Sequence, residues 1–362
     1  MRYKIPYVFS LVLVAVLGAG LLSCSKGATE PEGPGAGSGT TPLAFSPMAG
    51  WPVVAQSGTR GLVTSAQELQ SYDISLLSAA VLAGNTYGIF NNDVLTYSTT
   101  AGEWGYENIR YWIPEAKYTF GAFAPYASTT SSGGKNISNG TVSNSGSATD
   151  PSITITDYIT GKTNSFDARS EDLLYASYTR DNTYTSDYSA VPLQFNHLLA
   201  CVSFYIRNTT DTDITHIDGI ELVGHQYKCN IINVGISSAV LTPDSEVVDS
   251  GENYFDGEDR DGTAEVPFLP KAMTEEQFKS LFDCENLTVL PQTVFGKGVQ
   301  LKFTIHYSNS SEFVVYTGNL GSIESIPAWE QGKKYRYNIT ISSENIYFQL
   351  VEVPWIEHEI EL

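Results

Sequence analysis

Cysteine, methionine and basic residues are scarce in this sequence. Four cysteines and three methionines occur in 362 residues, and 20 Lys and Arg stand against 40 Asp and Glu, a formal charge of -20. So acidic a chain repels phosphate backbones, which argues against a nucleic-acid partner. Apart from Cys24, three thiols remain, Cys201, Cys229 and Cys284. An odd set cannot pair completely, so disulfides are not expected to hold the fold. Cys201, in the run LLACVSFYI, reads as a small buried apolar residue. Gly-rich phosphate loops, HExxH and CxxC are missing, so phosphate-loop, zincin and thiol-redox chemistry have no motif to stand on. The five histidines, His197, His216, His225, His306 and His358, are widely spaced. No metal ligand set, cofactor or catalytic residue is predicted from them. His197, beside Phe195 and Leu198, is expected to be packed and hydrogen-bonded for structure.

Long apolar runs are missing too. The longest, Val8 to Leu22, has 15 residues, short of the roughly 20 needed to cross a bilayer as a helix. It follows the basic start MRYK and ends in LLSC, the pattern of an export signal rather than of structure. Cys24 at that edge resembles the acceptor cysteine of a bacterial lipobox, whose thiol takes up a diacylglycerol. Residues 1–23 are therefore expected to be a lipoprotein signal peptide and Cys24 the lipidated residue, tethering the chain to a membrane. Residues 24–49, rich in Gly, Pro, Ser and Thr, read as a flexible spacer.

What the chain has in quantity is aromatic and β-branched residues, including 22 Tyr and 16 Phe. These favour strands and predict an all-β protein. The alternation is clear at Val202, Phe204 and Ile206, and again at Leu301, Phe303 and Ile305 against Lys302, Thr304 and His306. HIDGIELV reads as a strand bent at Gly219, EFVVYTGNL as a hairpin partner of VQLKFTIHY, and RYWIP as a hairpin arm before KYTFGAFAPY. SAQELQSY suggests a helical turn. TEEQFKSLF suggests a short helix, with Thr274 and Gln277 as its capping box. A break near 189–191 divides the body into residues 50–190 and 191–362, two sandwiches in tandem.

Two other features invite a functional reading. The acidic segment 251–262 offers oxygen ligands of the kind calcium takes, but its spacing lacks the terminal glutamate of the helix-loop-helix site, so a solvated loop is expected. Trp104, Tyr106, Tyr111 and Trp112 are aromatic enough to form a carbohydrate platform, although core packing accounts for them more simply.

At FNHLLACVSFYI the sequence resembles the fimbrillin-like surface lipoproteins, the type V pilins, of Bacteroidales. The phrase falls on Phe195, His197, Leu199 and Ala200. YGIF at 87–90, TFGAFAPY at 119–126, LPQTV at 290–294, WEQGKKYRYNITI at 329–341 and VEVPW at 351–355 follow the family's order. Cys201 and Val202 depart from it, where a basic residue is common. The resemblance implies two transthyretin-like β-sandwich domains and a non-enzymatic structural and adhesive subunit of a fimbria. Its partners are then other fimbrial subunits and, through the lipid on Cys24, the outer membrane at the cell surface, with a host protein or glycan as ligand. It further implies assembly by strand donation after an arginine-specific cut, for which Arg60 in SGTRGLV is the candidate. The candidate donor segment is Val351, Val353, Trp355, Ile356, Ile360 and Leu362, a short donor that points to a tip, anchor or accessory subunit. The alternative is a monomeric surface lipoprotein that binds glycan or host protein.

Overall fold

A computed structural model of the chain describes residues 40–49, 63, 65–131, 135–160, 171–244, 259–274, 276–282, 286–343 and 345–353. Alternating apolar residues and turn-forming polar stretches make nearly all the regular structure among these residues β-strand. Seven form the largest sheet, in the order β1 (Phe45–Ala49), β9 (Val191–His197), β8 (Leu174–Asp181), β5 (Lys117–Ala124), β2 (Ile74–Leu82), β3 (Asn85–Ser98) and β4 (Glu103–Tyr106). β1 lies parallel to β9, with Phe45 opposite Val191 and Ala49 opposite Phe195; the other pairs are antiparallel. The sheet curls until its two edges meet. The rings of Phe45 on β1 and Tyr106 on β4 are 5.8 Å apart. The Tyr106 hydroxyl donates to the Leu43 carbonyl at 2.9 Å. Phe45, Phe90, Trp112, Tyr118 and Phe120 fill the hollow.

The other face of this sheet is covered by β13 (Ala239–Pro243), β12 (Lys228–Val234), β7 (Ile153–Ile159) and β6 (Thr141–Asn144), in that order. Leu77 and Phe123 meet Ile153, Ile155, Ile232 and Val234 in a second core. At Gly121 the backbone of the covering layer comes close, and the Gly235 carbonyl oxygen leaves no room for a Cβ. Only glycine fits there.

A second sandwich follows. One sheet runs β15 (Lys279–Ser280), β10 (Ala200–Asn208), β21 (Lys334–Ile341), β22 (Ile346–Val353), with β16 (Leu287–Val289) also on β10; β10 and β21 are parallel. The facing sheet runs β14 (Arg260–Asp261), β11 (Ile214–Val223), β18 (Gln300–Tyr307), β19 (Phe313–Asn319). Val202, Phe204 and Ile206 pack with Leu301, Phe303 and Ile305 in the third core, as their alternation predicts. β17 (Gln292–Thr293) and β20 (Ala328–Trp329) make a small separate ladder. The α1 helix (Ala66–Leu69) is one turn, capped by the Ser65 hydroxyl, which accepts from the Glu68 N–H at 3.1 Å.

Several expectations change on this architecture. The capping-box bond at 274–277 forms, with the Thr274 N–H donating to the Gln277 side chain at 2.8 Å. It closes a turn and no helix follows among the described residues, because Lys279 and Ser280 are taken into β15 opposite Ile206 and Tyr205 respectively. RYWIP is not a hairpin arm: Tyr111 makes a single bridge to Pro42 and Trp112 turns into the core. The bend at Gly219 is present, with φ +56 and a register shift between Asp218 and Glu221. At the end of the expected spacer Leu43 and Phe45 are buried, and Phe45–Ala49 form β1. Position 190/191 falls between β8 and β9, neighbours in one sheet; from beyond that position β12 pairs with β7, and β13 pairs with β12.

Candidate functional site

The closure of the curled sheet is the first feature with functional content. β1 has five residues and one neighbouring strand, β9. Its hold on the sheet therefore depends on Phe45, whose ring meets Phe90 at 5.6 Å, Tyr106 at 5.8 Å and Phe120 at 5.9 Å, all edge to face. The chain from this strand runs on through Arg60, which lies outside the described residues, and is seen again at Val63. Val63 is 1% exposed. Its N–H donates to Asp172 Oδ2 at 3.0 Å, and His197 Nδ1 lies 2.8 Å from that oxygen and 2.9 Å from Oδ1. His197 is thus packed and hydrogen-bonded, in the role its neighbours suggested. Asp172, which the sequence did not single out, is the fully buried link between His197 and the segment that follows Arg60.

The second feature was not foreseen. His216 on β11 stands directly opposite His306 on β18, with the rings 4.9 Å apart. Asp218, two residues along on the same face, brings Oδ2 to 3.1 Å from His216 Nε2 and 2.9 Å from His306 Nε2. Asp261 on β14 takes the other side, its carboxylate against His216 Nδ1. Burial pushes the Asp218 carboxyl upwards. The hydrogen bond and charge of His306, with further bonds from Thr304 and His216, outweigh that and hold it below the usual range. In sequence, His306 was legible as a polar-face residue. Its meeting with His216 depends on a strand register across about ninety residues, which no local pattern encodes.

Other candidates resolve into packing. Trp112 is buried against Tyr118 at 4.8 Å, Trp104 packs on Tyr97 at 5.4 Å, and Tyr106 belongs to the sheet closure, so the four aromatics form no common platform. Cys201 and Cys229 are buried thiols, and burial pushes the Cys229 thiol up to about 11. Val351 and Val353 lie in β22, at the edge of its sheet, opposite Arg336 and Lys334. Cys24, Trp355, Ile356, Ile360 and Leu362 lie outside the described residues, as does most of the 251–262 loop. Among the described residues no helix is long and apolar enough to cross a membrane.

Two deeply buried titratable groups oppose each other across the pH scale. Burial raises the Glu171 carboxyl from 4.5 to about 7, despite the Ser138 N–H donated to it at 2.6 Å. Burial lowers the His225 imidazole from 6.5 to about 3. Glu171 therefore contributes stability at low pH that is lost as pH rises through about 7. His225 contributes stability above about 6.5 that is lost on acidification towards 3. Between pH 7 and 5 each slope amounts to roughly 2 kcal/mol, of opposite sign. Glu171→Gln removes one of them, so the variant should lose about 2 kcal/mol more than the parent between pH 7 and pH 5. Urea midpoints at the two pH values measure this, and parallel shifts for both proteins would refute it.

The profile of the fimbrillin-like family matches residues 65–355. The chain belongs to the fimbrillin-like family. Members are non-catalytic structural proteins, and this chain is not an enzyme. Among solved structures, this fimbrillin-like chain is similar to a fimbrial protein from Bacteroides vulgatus at 17% identity and a TM-score of 0.56, covering 86% of this chain and 99% of that one. It also matches a candidate cell adhesion protein from Bacteroides ovatus, at 15% identity and a TM-score of 0.49, covering 89% and 100%. A third match is a candidate cell adhesion protein from Bacteroides uniformis, at 17% identity and a TM-score of 0.45, covering 87% and 99%. The B. vulgatus protein supports the shared fold. No curated protein matches the chain.

Proposed function

We propose that this fimbrillin-like chain is a subunit of a surface fimbria, carried to the outer membrane by a lipid on Cys24 and joined to its neighbours by β-strand donation. The observation that carries the reading is the position of β1. It precedes Arg60 in the chain, yet it completes the curled sheet beside β9 and β4. A cut after Arg60 separates β1 covalently from everything that follows. Its departure would leave the backbone groups of β9 that face it unpaired and would uncover Phe90, Tyr106 and Phe120. An extended segment of another subunit meets both needs at once: backbone hydrogen bonds to the open edge and apolar side chains in the trough. The Val63 anchor would hold the new amino-terminal end clear of the trough after such a cut.

In this reading the donor is the carboxy-terminal segment, with Val351, Val353, Trp355, Ile356, Ile360 and Leu362 as its apolar residues. The body is a pair of transthyretin-like sandwiches, divided in chain order into 50–190 and 191–362, with β9, β12 and β13 lent back to the first. A tip, anchor or accessory position is part of this reading, and the partners are other fimbrial subunits and a host protein or glycan.

The test is to purify the chain without its first 24 residues and cleave it after Arg60. Defined oligomers are expected in size-exclusion chromatography with light scattering, and truncation after Val353 should abolish them. Cleaved chains that stay monomeric and bind glycans would favour the receptor alternative.

A further inference from the structure

We propose that His216, His306 and Asp218 form a binding site for a transition-metal dication of the zinc class, with Asp261 as the outer carboxylate that orients His216. The convergence follows from strand geometry. His216 and Asp218 are two residues apart on β11, so they share one face while Ile217 between them enters the core. His306 is the cross-strand partner of His216 on β18, and Asp261 is its partner on the opposite flank, β14. The three ligand atoms lie within 4.8 Å of one another. The two nitrogen-to-oxygen separations, 3.1 and 2.9 Å, approach the edge of about 3.3 Å of a tetrahedron with zinc-type bonds of about 2.0–2.1 Å. Small rotations of the side chains suffice to admit an ion.

The hydrogen-bonding inventory supplies an independent argument. An ionised carboxylate only accepts, so each imidazole nitrogen facing one must carry a proton. His216 faces Asp218 through Nε2 and Asp261 through Nδ1. The neutral ring leaves a lone pair pointing at a carboxylate oxygen. A dication on the Nε2 side removes that conflict. It takes the lone pairs of both Nε2 atoms and one oxygen of Asp218, while the Nδ1 proton of His216 remains donated to Asp261. This carboxylate, imidazole, metal order is the arrangement that fixes the tautomer of a metal-bound histidine.

The donor set also selects the ion. Two imidazoles and one carboxylate suit zinc, nickel or copper, whereas calcium takes six to eight oxygens. The side chains of His216, His306 and Asp218 are 26%, 33% and 33% exposed, so an ion reaches them from solvent and a fourth position stays open. A bound ion would tie β11 to β18 on the outer face of the second sandwich, away from the sheet closure that carries the proposed assembly.

Zinc titrated into the full chain, followed by calorimetry and thermal unfolding, is the test, with cobalt(II) as the spectroscopic probe. One equivalent is expected, with a raised Tm and a tetrahedral cobalt spectrum. His306→Ala and Asp218→Asn should each weaken zinc binding at least about tenfold, and Asp261→Asn, which touches no metal, about 10–100-fold. His306→Gln serves as a second variant should the alanine protein misfold, as judged by circular dichroism. Absence of binding, affinity unchanged in His216→Ala/His306→Ala, or an equal response to calcium would overturn the site.

Discussion

Asp172→Ala should destabilise the chain by about 3–5 kcal/mol, the range found when one member of a buried polar pair is removed. The carboxylate is fully buried and serves two donors at once, the Val63 N–H at 3.0 Å and His197 Nδ1 at 2.9 Å. Alanine leaves the buried Val63 N–H without its acceptor, opens a void and withdraws a partner from His197. Asp172→Asn keeps the volume and one acceptor oxygen, and should cost less than half as much. Urea unfolding with unchanged m-values measures both. An alanine variant within about 1 kcal/mol of the parent would show that Asp172 is not the fastening described.

Phe45→Ala should cost a comparable amount, about 3–5 kcal/mol, but its effect should be local. β1 is short and hydrogen-bonded to one strand, β9, so it can detach without the rest of the molecule unfolding. The Val191 N–H, which donates to the Ala44 carbonyl at 2.8 Å, reports the detachment. Its hydrogen exchange should accelerate at least about a hundredfold in the variant. Amides between β10 and β21, above a different core, should not change. Equal acceleration in both places would mean that the strand is lost only with the whole fold.

Strand identity was legible where side chains alternate beside an already apolar neighbourhood. Val202, Phe204 and Ile206 on β10 and Leu301, Phe303 and Ile305 on β18 each declare a buried face within their own sequence. β1 was not legible in this way. Leu43 and Phe45 are two apolar residues in a segment of Gly, Ser, Thr and Pro, and their partners Phe90, Tyr106 and Phe120 lie far away in the chain. The helix expected from Thr274 failed for a related reason. The local capping bond exists, but pairing with β10 outweighs the helical propensity of three or four residues. His197 was read correctly as structural, while its partner Asp172 carried no signal because a single aspartate has no periodicity. The meeting of His216, Asp218, Asp261 and His306 needed the order and register of three strands. The alternation within each strand was visible, and the sheet that assembles them was not.

The loan of β9, β12 and β13 to the first sandwich has a bearing on how the molecule is made. The covering sheet of that sandwich contains residues as far along as Pro243. An emerging polypeptide that has reached residue 190 therefore holds an unfinished layer, with Phe123 and Leu77 bare on one side. It must wait for some fifty more residues before that layer is roofed. A fragment ending at 190 should accordingly aggregate when expressed alone, whereas one extended beyond the β12–β13 hairpin has every strand of the first sandwich.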